Sequence, residues 1–415
     1  MTTLITHIKQ LVNTRSENKL LRGDELAHLP VLSNAYLIIE DGIIAEYGEM
    51  KNMVHQPSAF VQHVDASNQL VLPCWCDSHT HLVFAASREE EFVDKIKGLS
   101  YAAIAAKGGG ILNSARKLNE TSENELFNLA WNRLTEAAKS GTGAIEIKSG
   151  YGLTVEGELK MLRVIKRLKA QSPLTIKATF LGAHTYPLAY KENHRGYIDV
   201  IKNEMLPVIA AENLADYIDV FCETGFFSPE ETEEICREGM RYGLKPKLHA
   251  NQLNLSGGVE TGIKLNALSV DHLETMNESI IKQLAASDTI GTLLPTAAFF
   301  LRMDFQPARQ LIDAGCAIAL ASDFNPGSSP SLNMNLVIAM SCIQMKMLPE
   351  EAVNAATMNG AYAMEIEREL GSITVGKKAN LLFTKPVPSL AYLPYAFGSN
   401  LIDKVMIGGV LLNAE

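Results

Sequence analysis

The sequence has no run of ~18 uncharged apolar residues, the length a helix needs to cross a bilayer. Its first residues, MTTLITHIKQLVN, show neither the apolar stretch nor the cleavage site of a secretory leader. Cysteine is scarce: six in 415 residues, at positions 74, 76, 222, 236, 316 and 342, with no CxxC pair. Several sit in apolar runs, so they read as buried free thiols in a reducing cytoplasm. Positive charge is in deficit, with 37 Lys and Arg against 47 Asp and Glu. The net charge of −10 repels phosphate backbones, so nucleic acid is not an expected partner, and no membrane span is expected either. No internal repeat or low-complexity tract stands out. With 47% apolar and 20% charged residues, the chain is a core-forming one rather than a disordered one.

Eight short apolar segments recur, at 71–76, 142–148, 175–182, 216–222, 244–250, 267–271, 289–294 and 316–322. Near-continuous runs such as CAIALAS suit parallel strands covered on both faces. Helical patterns lie between most of them. In SPEETEEICREGMRYG, Ser228 is a good N-cap, Pro229 falls at the first helical position and Glu231 closes a capping box. Gly243 is placed to end that helix in a left-handed conformation. Eight strands with intervening helices favour an α/β fold, a closed (β/α)8 barrel over residues 71–359. The two ends differ. YLIIEDGIIAEYG reads as a hairpin turning at Asp41-Gly42, and short strands are expected around Gly376 and Gly408-Gly409. Residues 1–70 and 360–415 are expected to pair into one small β-sandwich domain.

The leading chemical motif is His79-Thr80-His81 in LPCWCDSHTHLVF. On an extended strand alternate side chains share a face, so His79, His81 and Asp77 point together while Cys74 and Cys76 point away. That parity argues against a mixed Cys/His cluster. Two imidazoles held this way suit zinc or iron, although an HxH pair alone is equally well a packed structural pair. Three more histidines fall at or just past strand ends: His184 in TFLGAH, His249 in KLHA and His272 in SVDHLE. Asp323 follows the eighth segment in ALASDFNPG. In a barrel these ends surround one mouth, where a single buried histidine would mean little but five with an aspartate mean a site.

These stretches, together with HTHLVFAASREEEF, KGGGI, IKSGYGL, DVFCETGFF, VDHL and SDFNPGSSP, resemble the amidohydrolase superfamily. More narrowly they are similar to its imidazolone ring hydrolases of histidine breakdown, over nearly the whole chain. The resemblance implies hydrolysis of the ring amide C–N bond of 4-imidazolone-5-propanoate to N-formimino-L-glutamate. It also implies one zinc or iron ion on His79, His81, His249 and Asp323. Asp323 would receive the water's proton, and His272 would orient the water or steady the oxyanion.

By the same resemblance Arg88, Tyr101, Tyr151, His184, Asn325, Gly327 and Ser328 would meet the small-molecule substrate, and a homodimer is expected. Arg88 offers a planar fork for the propionate, with an ion pair to Glu89–Glu91 as the alternative. The alternatives are simple packing for Tyr151 and a plain turn for Pro326-Gly327, while Tyr101 before Gly108-Gly109-Gly110 suits a moving cover or a plain loop alike. Lys148 invites a carboxylated, metal-bridging role, which the mononuclear pattern disfavours. One departure stands out: where a Glu is common after the fifth-strand histidine, this chain reads His249-Ala250-Asn251-Gln252. Gln252 can position a substrate but cannot take a proton, which moves the base role to Asp323 and His272. The remaining readings are another cyclic amide hydrolase, a heterocycle deaminase, or a metal-binding scaffold without catalysis.

Overall fold

The computed structural model of the chain describes residues 2–99 and 109–412. Tyr101 and Gly108 lie outside the described residues. Eight parallel strands run in sequence order around one sheet. They are β6 (Trp75–Asp77), β7 (Thr142–Lys148), β8 (Thr175–Ala183), β9 (Tyr217–Cys222), β10 (Lys245–Ala250), β11 (Ser269–His272), β12 (Ile290–Leu293) and β13 (Ile318–Leu320). The ring closes just beyond the last strand. Thr80 bridges Phe324 in parallel, the His81 N–H donates to the Phe324 carbonyl at 2.8 Å, and the Asp323 N–H donates to the His79 carbonyl at 3.0 Å. The residues that carry the candidate chemistry are thus also the closing seam.

Local signals act as the sequence implies. The helix Pro229–Arg241 starts at Ser228, whose hydroxyl accepts the Glu231 N–H while the Glu231 carboxylate accepts the Ser228 N–H at 2.8 Å. Gly243 ends that turn at φ +84°. The five cysteines 74, 76, 222, 236 and 316 are buried and free; Cys342 is free but only partly buried. Cys76 packs outward against Ala144, Ala361 and Met364, away from the histidines.

The first apolar segment differs from its sequence reading. Residues 71–76 are not one strand. Leu70–Pro73 (β5) belongs to a second sheet, and only Trp75–Asp77 joins the barrel. Cys74 is the joint, its N–H donating to the Asn380 carbonyl at 3.0 Å. One apolar run serves two sheets, a division that periodicity cannot reveal.

The second sheet is mixed and draws on both chain ends. Its order is β16 (Val410–Leu411), β15 (Ile402–Ile407), β14 (Leu381–Thr384), β5, β1 (Thr2–Val12), β2 (Val31–Glu40) and β3 (Ile43–Glu49), with β4 (Gln62–Asp65) also on β1. The ends meet where β5 runs antiparallel to β14, Leu72 opposite Leu382. Asp41 and Gly42 both have positive φ (+49° and +82°), as a tight type I′ hairpin turn requires. Apolar residues cover both faces: Ile5, Leu37, Ile39 and Phe383 pack on one, Leu4, Tyr36 and Ile38 on the other. Residues 361–370 do not join this sheet. They pack against barrel residues, and the Met364 carbonyl accepts the Tyr217 hydroxyl at 2.7 Å. Among the described residues no helix is long and apolar enough to cross a membrane.

Candidate active site

His79, His81, His249, His272 and Asp323 converge at the C-terminal mouth of the barrel, and all are buried. Two overlapping groups form: His79 with His81 and His249, and His79 with His272 and Asp323, each with ligand atoms within 4.8 Å of one another. Asp323 Oδ1 lies 3.5 Å from Nε2 of both His79 and His81, and the Nε2 atoms of His81 and His249 are 3.4 Å apart. The chain bends sharply here. His272, Leu273, Asp323 and Asn251 have positive φ (+88°, +66°, +49° and +54°), a costly conformation for side chains that the surrounding packing imposes.

The donor set fits a metal ion. His79 Nδ1 meets Asp271 Oδ2 at 2.6 Å and His249 Nδ1 meets Asp219 Oδ2 at 2.9 Å. Each carboxylate accepts a hydrogen bond from the Nδ1–H and leaves the Nε2 lone pair facing inward, the usual arrangement around ligating histidines. His79 Nε2 and both carboxylate oxygens of Asp323 have no hydrogen-bond partner. Such buried orphans are expensive unless a cation takes them. Burial, with Lys148 and the neighbouring histidines, holds His79 and His81 well below the usual imidazole range, and burial, with His272 and Lys148, does the same to His249. The three are therefore neutral donors. Burial pushes the Asp323 carboxyl up to about 7.

His272 departs from its neighbours. Burial alone would lower it, but the charge and hydrogen bond of Glu274 outweigh that and raise it. Its Nδ1 lies 3.3 Å from Glu274 Oε1, which also accepts from Gln306 Nε2 at 2.9 Å. On the other side His184 stacks on His81 with ring centroids 5.4 Å apart, and Tyr151 sits 5.5 Å from His184 and 5.9 Å from His81. Burial pushes His184 down to about 4.

Tyr151 is held by a device not legible in the sequence. The buried Glu158 carboxylate accepts the N–H groups of Gly150, Gly152 and Leu153 at 2.9, 2.7 and 2.9 Å. Gly150 (φ +111°) must lack a side chain, because a Cβ there would come within 2.9 Å of His184 Nδ1.

The other expected contacts are partly committed within the protein. Arg88 Nε and Nη2 donate to Glu91 Oε2 at 2.9 and 2.5 Å, and Glu91 Oε1 accepts the Gly110 N–H. The ion-pair reading of Arg88 is thus realised on one edge of its fork. Gly327 lies against Arg88, and a Cβ there would push its Nη1 aside. Asn325 organises its own loop: Oδ1 accepts the N–H groups of Gly327 and Ser328, and Nδ2 donates to the Asp323 carbonyl and the Ser328 hydroxyl. Gln252 is buried two residues beyond β10, and Glu223 fastens the next turn by accepting the Leu253 and Asn254 N–H groups.

Asp219, Asp271, Glu274, Gln306 and Glu158 carry no assignment in the sequence reading. A signal existed for Asp219 and Asp271 alone: a charged residue inside an otherwise buried strand, such as Asp219 in YIDVFC, needs a partner and so marks a polar interior.

The chain belongs to the amidohydrolase family, whose model matches residues 70–412. Within it the chain falls among the imidazolonepropionases. It is 56% identical over 413 residues to the imidazolonepropionase of Flavobacterium johnsoniae, covering 99% of this chain and 100% of that one. Distant solved structures share the fold. Guanine deaminase of E. coli matches with a TM-score of 0.75 at 13% identity, over 100% of this chain and 99% of that one. A zinc-bound adenosine deaminase from Xanthomonas campestris matches with a TM-score of 0.65 at 16% identity, over 99% and 92%.

Proposed function

We propose that this protein opens the ring of 4-imidazolone-5-propanoate by hydrolysis of its amide C–N bond, giving N-formimino-L-glutamate. The observation that carries the reading is the inward convergence of His79 Nε2, His81 Nε2, His249 Nε2 and the partnerless Asp323 carboxylate. These four residues would hold one ion, zinc or iron, since both accept imidazole and carboxylate. Such an ion supplies Lewis acidity and lowers the pKa of water toward ~7.

The chain's own groups do the rest. Asp323 stands at the mouth to accept the proton of the attacking water, and His272, kept basic by Glu274, delivers or holds a proton opposite it. Gln252 has no basicity and serves to position the ring. Tyr151 and His184 form the wall beside His81. Arg88 reads the propionate through the part of its guanidinium not taken by Glu91, with the Asn325–Ser328 loop shaping that side. Tyr101 would also meet the substrate, as the resemblance implies. The barrel from Trp75 onward acts as the catalytic part, and the sheet drawn from both chain ends, Leu70–Pro73 included, as its support. A homodimer in the cytoplasm is the expected assembly, and the mass in solution checks the dimer.

The test is product analysis with the imidazolone as substrate. Release of the formimino acid without free ammonia supports ring opening. Free ammonia as the first product would instead make the chain a deaminase.

A further inference from the structure

Lys148 ends β7 with its side chain fully buried inside the barrel. Its Nζ lies 2.6 Å from Glu146 Oε1, 2.9 Å from Asp219 Oδ2 and 3.6 Å from Asp271 Oδ2. Those last two atoms are the same oxygens that meet Nδ1 of His249 and His79. One ammonium therefore touches both carboxylates that orient the two histidines. Glu146 is fixed independently, by Lys247 and by the Thr179 hydroxyl at 2.6 Å.

We propose that Lys148 is a positioning residue that keeps Asp219 and Asp271 as paired acceptors, so that His79 and His249 both present Nε2 to the metal ion. The inference rests on the single-ion site proposed above. Without the ammonium, Asp219 and Asp271 would lose the cation that touches both of them in a dry interior, while Glu146 would keep Lys247. A carboxylate that turns away no longer accepts the imidazole N–H. The ammonium nitrogen has no lone pair, so the same contacts keep it from forming the carbamate that bridges two metals elsewhere.

The experiment compares zinc affinity of the full-length parent, Lys148→Met and Lys148→Arg by competition with a chelator, each as folded protein by circular dichroism. The parent should bind one zinc, and Lys148→Met should bind it 10–100-fold more weakly. Lys148→Arg, which keeps the cation, should recover much of that loss. In an Asp219→Asn, Asp271→Asn background Lys148→Met should weaken binding little further, because amides need no ammonium. Unchanged affinity in Lys148→Met, or a full additional loss in the double-amide background, would overturn the role of Lys148 while leaving the ion site standing. A parent that binds no zinc or iron would overturn both. If Lys148→Met does not fold, the parent itself answers. Nitrogen NMR should find His79 and His249 as Nδ1–H tautomers, and labelled bicarbonate should leave no carbamate signal; the opposite tautomers or a carbamate would overturn the proposal.

Discussion

The barrel mouth and the composite sheet bury residues by opposite rules. In the sheet the core is apolar packing, with Ile5, Ile39, Leu381 and Phe383 in one cluster. In the barrel the interior holds Glu146, Lys148, Asp219, Lys247 and Asp271, all nearly inaccessible and all paired. The sheet gains stability from apolar burial, roughly 25 cal/mol per Å2. A buried charge network is a poor source of net stability, because desolvation consumes most of its Coulomb energy. Its return lies in fixing donor atoms. Apolar packing holds the sheet together, while the charge network at the mouth holds donor atoms in place, so substitutions in the two should separate stability from activity.

The largest effect is expected at the mouth. His249→Ala should remove both bound metal and turnover while thermal unfolding shifts modestly, as metal analysis beside calorimetry would show. A full metal equivalent with normal turnover would end the ligand assignment. Next, His272→Ala should lower kcat by about 10²–10⁴-fold at metal saturation, the range for a lost acid–base group. Gln252→Ala should act mainly on KM. If the two results exchange places, the roles are reversed.

The sheet should give the mirror image. Phe383→Ala removes a fully buried ring and should cost about 3–5 kcal/mol in denaturant unfolding, with kcat per folded molecule unchanged. A collapse of kcat in the folded fraction would mean the two regions are coupled after all. The smallest effect is at the rim. Arg88→Lys keeps the charge but loses the planar fork, so kcat/KM should fall roughly 5–30-fold, equivalent to ~1–2 kcal/mol, and only for substrates with the propionate.

Much of this contrast was readable in the sequence, and the reason is locality. The Ser228–Glu231 cap and the Asp41-Gly42 turn depend on neighbours within four residues. Each of the five site histidines and Asp323 follows an apolar run whose end can be read directly, so a barrel places them together without further information. The division of 70–77 between two sheets was not readable, because the choice is made by Asn380 and Leu382, some three hundred positions away. Nor was the support of the site. Asp219 and Asp271 lie on β9 and β11, and nothing local says that their oxygens meet at Lys148. Glu158 looks like a helix-surface residue by its position in VEGEL, yet its carboxylate gathers three N–H groups of the loop before it. Arg88 was legible as a fork, while its engagement with Glu91 on one edge emerges only from the packing.

The central claim is that a single ion on His79, His81, His249 and Asp323 is required for ring opening. The direct measurement strips the purified protein with a chelator and restores zinc or iron in fractional equivalents while imidazolone turnover is followed. Turnover should vanish on stripping, return in proportion to added metal and level off at one equivalent per chain. Turnover that survives stripping, or that keeps rising to two equivalents, would contradict the account.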